Sequence, residues 1–208
     1  MYLPAHFVEN RTEVLHGFLR SHPLGMLITL EDGRPTADLI PMLLDTAPGL
    51  RLRGHVARAN AVATRVADGE EVLVVFHGAD HYVTPSWYAA KRVDGKVVPT
   101  WNYAVVHVRG RIRWFDAPER LRAVVEDLTR THESGRATPW SVADAPADYV
   151  AAMLRAIVGF EVEIASMTGK FKASQNRSEA DRQGVARGLA EDGVAPAALT
   201  ELARDPRP

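Results

Sequence analysis

Leu24-Gly-Met-Leu-Ile-Thr-Leu-Glu-Asp-Gly-Arg-Pro-Thr-Ala-Asp-Leu-Ile-Pro-Met-Leu-Leu44 is the stretch that sets the fold class. The apolar run from Leu24 to Leu30 predicts a buried strand. Asp32-Gly33 is a hairpin turn dipeptide, because both residues tolerate positive φ. Thr36 to Leu44 then reads as the returning strand, so the first sheet contact is antiparallel.

The same pattern continues on both sides. Upstream, Asn10 with Glu13 three residues on marks a helix start. Val14, Phe18 and Leu19 share one face of that helix, and His22-Pro23 ends it. Downstream, Leu50 to Val56 alternates apolar and polar residues, the period of a half-buried strand. Arg58 to Ala67 predicts a short helix, Glu71 to His77 a β-branched strand, Gly78-Ala-Asp80 a turn, and Tyr82 to Thr84 more strand. Ser86 to Ala90 suits one helical turn, and Asp94-Gly95 another turn. Trp101 to Phe115 predicts a long strand with a bulge or bend at Gly110. Asp116-Ala-Pro118 opens a helix bearing Leu121, Val124, Val125 and Leu128. A loop is expected from Ser134 to Ala147. A helix follows from Asp148 to Val158, with Val150, Met153, Leu154 and Ile157 on its buried side, and then a last strand through Phe160, Val162 and Ile164. Two helical pieces, Glu179 to Ala190 and Ala195 to Arg204, close the chain, with a frayed end from Asp205.

Six to eight strands, mostly joined by hairpins and interrupted by helices, favour an α+β fold: an antiparallel barrel or strongly curled sheet with flanking helices. No Gly-x-Gly-x-x-Gly or Walker loop is present, which argues against a doubly wound nucleotide-binding sheet. The expected organisation is one domain over 1–177 with a short helical extension over 178–208.

The 208 residues carry a net charge of −1, so no basic field attracts nucleic acid, and direct nucleic-acid binding is not expected. With zero cysteines there is no disulfide, thiolate metal site or cysteine nucleophile. No signal-peptide pattern and no membrane-length apolar run stand out, so a soluble cytoplasmic protein without membrane contact is expected.

Three clusters carry chemistry. Gly54-His-Val-Ala-Arg-Ala-Asn60 runs from a strand into an expected helix start, where free N–H groups favour anions. Arg58 adds a planar fork suited to phosphate, and His55 and Asn60 add donors. Between His81 and Tyr103, the rings of Trp87, Trp101 and Tyr103 offer walls and Ser86 and Asn102 offer polar partners. Lys170-Phe-Lys172 with Ser174-Gln-Asn-Arg177 gathers three cations and directed polar side chains just after a strand. Each has a plainer reading: a capped helix start, a core hairpin, a solvated charge run. Together they suit a phosphorylated planar cofactor, with flavin mononucleotide (FMN) the natural candidate. His77 and His81 are four apart, but the intervening Gly78-Ala-Asp80 reads as a turn, so no helical His-x-x-x-His metal site is expected, although a single buried histidine can ligate haem iron.

These motifs, with Tyr82-Val-Thr-Pro-Ser-Trp-Tyr88, Val98-Pro-Thr-Trp-Asn-Tyr103 leading to His107, and Gly169 to Arg177, resemble the PaiB-type FMN-binding negative transcriptional regulators. The resemblance runs from Met1 to about Gly188. It implies an antiparallel split β-barrel of the FMN-binding type, a homodimer with the cofactor at the subunit interface, and a flavin-dependent oxidoreductase or flavin-linked regulator. Carried over by motif, His55, Arg58, Asn60, Ser86, Trp87, Trp101, Asn102, Lys170, Lys172, Gln175, Asn176 and Arg177 would border the cofactor, with Arg58 and Asn60 at the phosphate. Ala61, Leu39, Phe171 and Ala173 depart from the family pattern and would reshape the pocket. The family also resembles the haem-dependent piperazate synthases, which join two nitrogens of N5-hydroxyornithine. That reading implies haem b, with His55 as axial ligand. A transcriptional repressor acting directly on DNA is the least supported reading. The would-be recognition helix from Pro196 to Ala203 holds no arginine, lysine, asparagine or glutamine to read bases or phosphates.

Overall fold

The computed structural model describes residues 1–195, 198 and 201–203. The helical piece expected at 195–204 falls largely outside the described residues, and the end from Asp205 wholly so.

Eight strands form one sheet in the order β3-β2-β6-β7-β8-β5-β4, with β1 also on β8. In chain order the elements are β1 (Val8–Glu9), α1 (Thr12–Ser21), β2 (Leu24–Glu31), β3 (Arg34–Pro41), β4 (Leu43–Asp45), β5 (Arg51–Ala57), α2 (Val62–Arg65), β6 (Glu71–Val83), β7 (Thr100–Phe115), α3 (Pro118–Glu133), α4 (Ala147–Arg155), β8 (Ile157–Lys172) and α5 (Glu179–Glu191).

The opening hairpin forms as read. Glu31 pairs with Arg34 across Asp32 (φ 50°) and Gly33 (φ 75°), a two-residue turn with both φ positive. Its first strand is not buried on both faces, however. Gly25, Leu27 and Thr29 face in, while Leu24, Met26 and Leu30 face out. The returning strand breaks at Met42, whose amide donates to the Pro23 carbonyl at 2.8 Å. The expected first helix forms with Phe18 and Leu19 buried, but Leu15 takes the inward place read for Val14, and the amide of Arg11 just before the helix donates to the Glu9 carboxylate.

Four other local expectations are corrected. The helix expected from Arg58 is only the four residues of α2, because Asn60 ends the preceding turn by accepting the Val62 amide on Oδ1. Gly78-Ala-Asp80 is no turn, and β6 runs through it for 13 residues. Gly78 suits that place because a side chain there would strike the Phe18 ring. Lys170-Phe-Lys172 does not follow a strand but ends β8, which takes up Ile157 at its other end. Met153 on α4 is exposed, leaving Val150 and Leu154 as the inward residues.

The chain divides into two compact units. Unit 1 comprises 1–18, 77–106 and 168–208, and unit 2 comprises 19–76 and 107–167. In unit 1, α5 packs Val185 and Leu189 against Val83, Tyr88 and Leu202, with Trp87 beside them. In unit 2, α3 lays Leu121, Val124 and Leu128 on Phe115, with Leu43, Leu154 and Ile157 around the edge. Among the described residues no helix is long and apolar enough to cross a membrane.

Gly110 sits mid-strand in β7, and its role is close approach. A Cβ there would overlap the Glu163 carbonyl of neighbouring β8. Gly110→Ala is therefore expected to lower stability by about 2–3 kcal/mol, the scale of overpacking against an unyielding backbone. Urea unfolding with an unchanged m-value tests this, and a shift below about 0.5 kcal/mol would show that the strands part easily.

Candidate functional site

The residues singled out by sequence fall into two groups, one in each unit.

In unit 2, β5 carries His55 and the turn after it carries Arg58 and Asn60. Arg58 serves its own chain. Its Nε donates to the Arg155 carbonyl and its Nη2 to the Ile157 carbonyl, both at 3.0 Å, while its amide donates to the Ala156 carbonyl. The Arg155 and Ala156 carbonyls lie at the C-terminal end of α4, where a cation completes bonds that the helix leaves open, and the Ile157 carbonyl opens β8. Asn60 Nδ2 donates to Asp38 at 3.2 Å. The anion-binding helix start expected here is thus replaced by a turn whose donors are already engaged. His55 is half-buried and lines a cavity of about 320 Å³ with Pro41, Leu128, Thr129, His132, Glu133 and Trp140. Burial pushes its imidazole below the ordinary value, favouring the neutral ring.

In unit 1, β7 starts with Thr100, Trp101, Asn102 and Tyr103, and β8 ends with Lys170 and Lys172. Lys170 is only 8% exposed. Its ammonium stands 5.2 Å from the centre of the Tyr103 ring and 5.7 Å from that of Tyr2. Lys172 Nζ donates to Thr100 Oγ1 and, at 2.6 Å, to the Trp101 carbonyl. Burial, then the charges of Lys170 and Arg177, hold its ammonium below the usual lysine range. Arg177 lies 4.8 Å from the Tyr88 ring centre. Among the described residues none of these three cations has a carboxylate within ion-pair distance. Trp101 is 53% exposed and meets Tyr82 edge-on at 6.1 Å.

The other unit 1 residues are more occupied. Trp87 stacks on His81 and rests on α5 at Gly184 and Gly188, where any Cβ would overlap it. Ser86 accepts from Lys91 at 2.9 Å. Gln175 accepts the Ala173 amide and donates to the Phe171 carbonyl, bracing the strand end. Asn176 is exposed. Asn102 is fully buried, donating to Ser174 Oγ at 3.1 Å and to the Leu202 carbonyl at 2.9 Å. Ser174 sits at φ 62°, and its hydroxyl returns a bond to Asn102 Oδ1. Sequence reading passed over Tyr82 and Thr100 as site members. Tyr103, read beside Trp101 as a possible ring wall, lies two residues along the strand on the same face.

A family model described as "Putative FMN-binding domain" matches residues 1–166. The chain belongs to this family. An uncharacterized protein of Emericella nidulans is 35% identical over 93% of this chain and 92% of its own length. The protease synthase and sporulation protein PAI 2 of Bacillus subtilis is 30% identical, over 89% of this chain and 87% of its own. Among solved structures, the FAD and heme binding protein from Mycobacterium smegmatis superposes with a TM-score of 0.59 at 18% identity, covering 79% of this chain and 72% of that one. The fold is therefore α+β and of the antiparallel split-barrel type, as the hairpins and motifs implied.

Asn102→Ala is expected to cost about 1–3 kcal/mol, because it strips Ser174 and the Leu202 carbonyl of a buried partner. Asn102→Asp tests the direction of the bonds, since a carboxylate cannot donate to a carbonyl. Stability of either variant equal to the parent in urea unfolding would contradict this account of the network.

Proposed function

We propose that the chain binds FMN, seating the phosphate at Lys170, Lys172 and Arg177 and one edge of the ring system against Trp101, and works as a flavin-dependent oxidoreductase. The observation that carries this is Lys170: a residue only 8% exposed, its ammonium facing aromatic rings beside two more cations, with no carboxylate at ion-pair distance among the described residues. Three like charges brought together repel, and a dianionic phosphate monoester would offset that repulsion. Trp101 offers an exposed indole face next to the cluster through its own carbonyl bond to Lys172. The family description supports a flavin, and a Mycobacterium smegmatis protein of similar fold is named for FAD and haem. FMN supplies the redox chemistry when bound. The chain's own groups hold charge, orient the phosphate and shield one edge of the ring.

Titration of apo-protein with FMN, read by flavin fluorescence, tests the reading. Lys170→Gln is expected to weaken binding at least tenfold, and Trp101→Ala by a smaller factor. Affinity is also expected to fall as pH rises through the lowered value of Lys172, at a pH where an ordinary lysine would still be charged. A parent protein that takes up no FMN, or a Lys170→Gln variant that binds it equally well, would sink the reading.

A second reading has its own observation. His55 lines an open cleft with Pro41, Leu128 and Trp140, and burial of its ring favours the neutral imidazole, the form that ligates haem iron. Under this reading added haem b gives a sharp Soret band that His55→Ala abolishes. A Soret band unchanged in that variant would remove His55 as the ligand.

A further inference from the structure

Arg58, which the proposed flavin seat leaves unused, stands at the wall of a cavity of about 640 Å³ in unit 2, twice the volume of the one beside His55, about 320 Å³. The cavity opens between the start of α3 and the end of α4. Pro118 and Leu121 line it from α3, and Ala151 and Leu154 from α4, so its walls are mainly apolar. Leu121 is buried in the unit 2 core and Leu154 packs against the same cluster, which makes the floor of the cavity continuous with the core. Small-molecule sites have this make-up: apolar walls of a few hundred Å³ with a small number of polar groups converging on them.

The polar groups here are three charges. Arg58 is pinned by its bonds to the Arg155 and Ile157 carbonyls, so its positive charge is fixed at the wall. Arg155 and Asp116 line the same space, and among the described residues neither side chain has an ion-pair partner. Arg155 therefore keeps its whole planar fork, the shape that takes a carboxylate in two parallel bonds. Two guanidiniums against one carboxylate leave a single positive charge in excess beside an apolar floor. We propose that this cavity binds an apolar monocarboxylate, of the fatty-acid kind, with its carboxylate on Arg155 beside the Arg58 charge and its hydrocarbon chain on Leu121 and Leu154. One negative charge cancels the excess. A second would meet Asp116, and a cationic ligand would meet both arginines. A neutral hydrocarbon would bury its chain but leave the Arg155 fork unmatched. The site shares no residue with the Lys170 cluster of unit 1, so it stands whichever cofactor binds.

Calorimetric titration of the full chain with sodium octanoate tests the proposal, with octanol as the probe that lacks the charge and acetate as the probe that lacks the chain. Octanoate is expected to bind saturably with a dissociation constant of roughly 0.1 mM, octanol at least about tenfold more weakly, and acetate not measurably. Arg155→Gln is expected to weaken octanoate at least about tenfold and leave octanol unchanged. Asp116→Asn removes a repulsion and is expected to tighten octanoate by a few fold. Ala151→Trp, at an exposed helix position, fills the cavity and is expected to abolish uptake. Circular dichroism and thermal midpoints close to the parent's are expected for all three, and Arg155→Lys serves as the milder change should glutamine disturb the end of α4. A parent that shows no saturable octanoate uptake below about 1 mM overturns the proposal, as does octanol bound as tightly as octanoate. Parent-like affinity in folded Arg155→Gln, or uptake that survives Ala151→Trp, overturns it equally.

Discussion

Two strands of sixteen residues, β7 and β8, lie flat against each other because Gly110 has no side chain to push the Glu163 carbonyl away. This contact is the constraint on which the rest depends. Strands this long are unusual, since most run five or six residues. At the other ends of the same two strands, in unit 1, Lys172 bonds to Thr100 and the Trp101 carbonyl, and Asn102 meets Ser174. The chemistry of unit 1 is thus a property of strand ends, held by ladders rather than by a mobile loop.

The two groups of candidate residues differ in how much of their bonding capacity is spent. Arg58 and Asn60 are consumed by carbonyls at the end of α4 and by Asp38. Asn102 and Gln175 are likewise spent on the backbone. Lys170 and Arg177 touch only rings among their described contacts. A residue whose partners are all internal holds the scaffold, whereas the Lys170 and Arg177 side chains have no carboxylate at ion-pair distance among the described residues. This contrast separates scaffold from site within motifs that look alike in sequence.

Local signals in the sequence were read correctly where local physics decides. Asp32-Gly33 requires positive φ, and the turn adopts it. Phe18 and Leu19 on one helix, and Leu121, Val124 and Leu128 on another, follow helical spacing and are buried, while Leu15 takes the inward place read for Val14. Readings failed where distant chain decides. Gly78-Ala-Asp80 has turn composition but lies within β6, with Phe18 packed where a side chain would stand. Lys170-Phe-Lys172 resembles a solvated run, yet β1 pairs with it and Phe171 packs on Phe18. Arg58 has the spacing of an anion site, but its partners come from a helix about a hundred residues later. The aromatic segment from His81 to Tyr103 was split by the structure: Trp87 belongs to the core and Trp101 to the surface.

The seat of Trp87 on Gly184 and Gly188 bears on the order of events during synthesis. The indole emerges from the ribosome about a hundred residues before the helix that receives it, so no nascent chain of intermediate length can shelter it. The core of unit 1 closes only after α5 has been made, since Val83 and Tyr88 wait for Val185 and Leu189. Unit 2 is complete in sequence by Met167, before α5 exists. All residues of unit 2 precede α5 in the chain, so of the two cores the one around Trp87 and its neighbours is the last to gain its partners in sequence order.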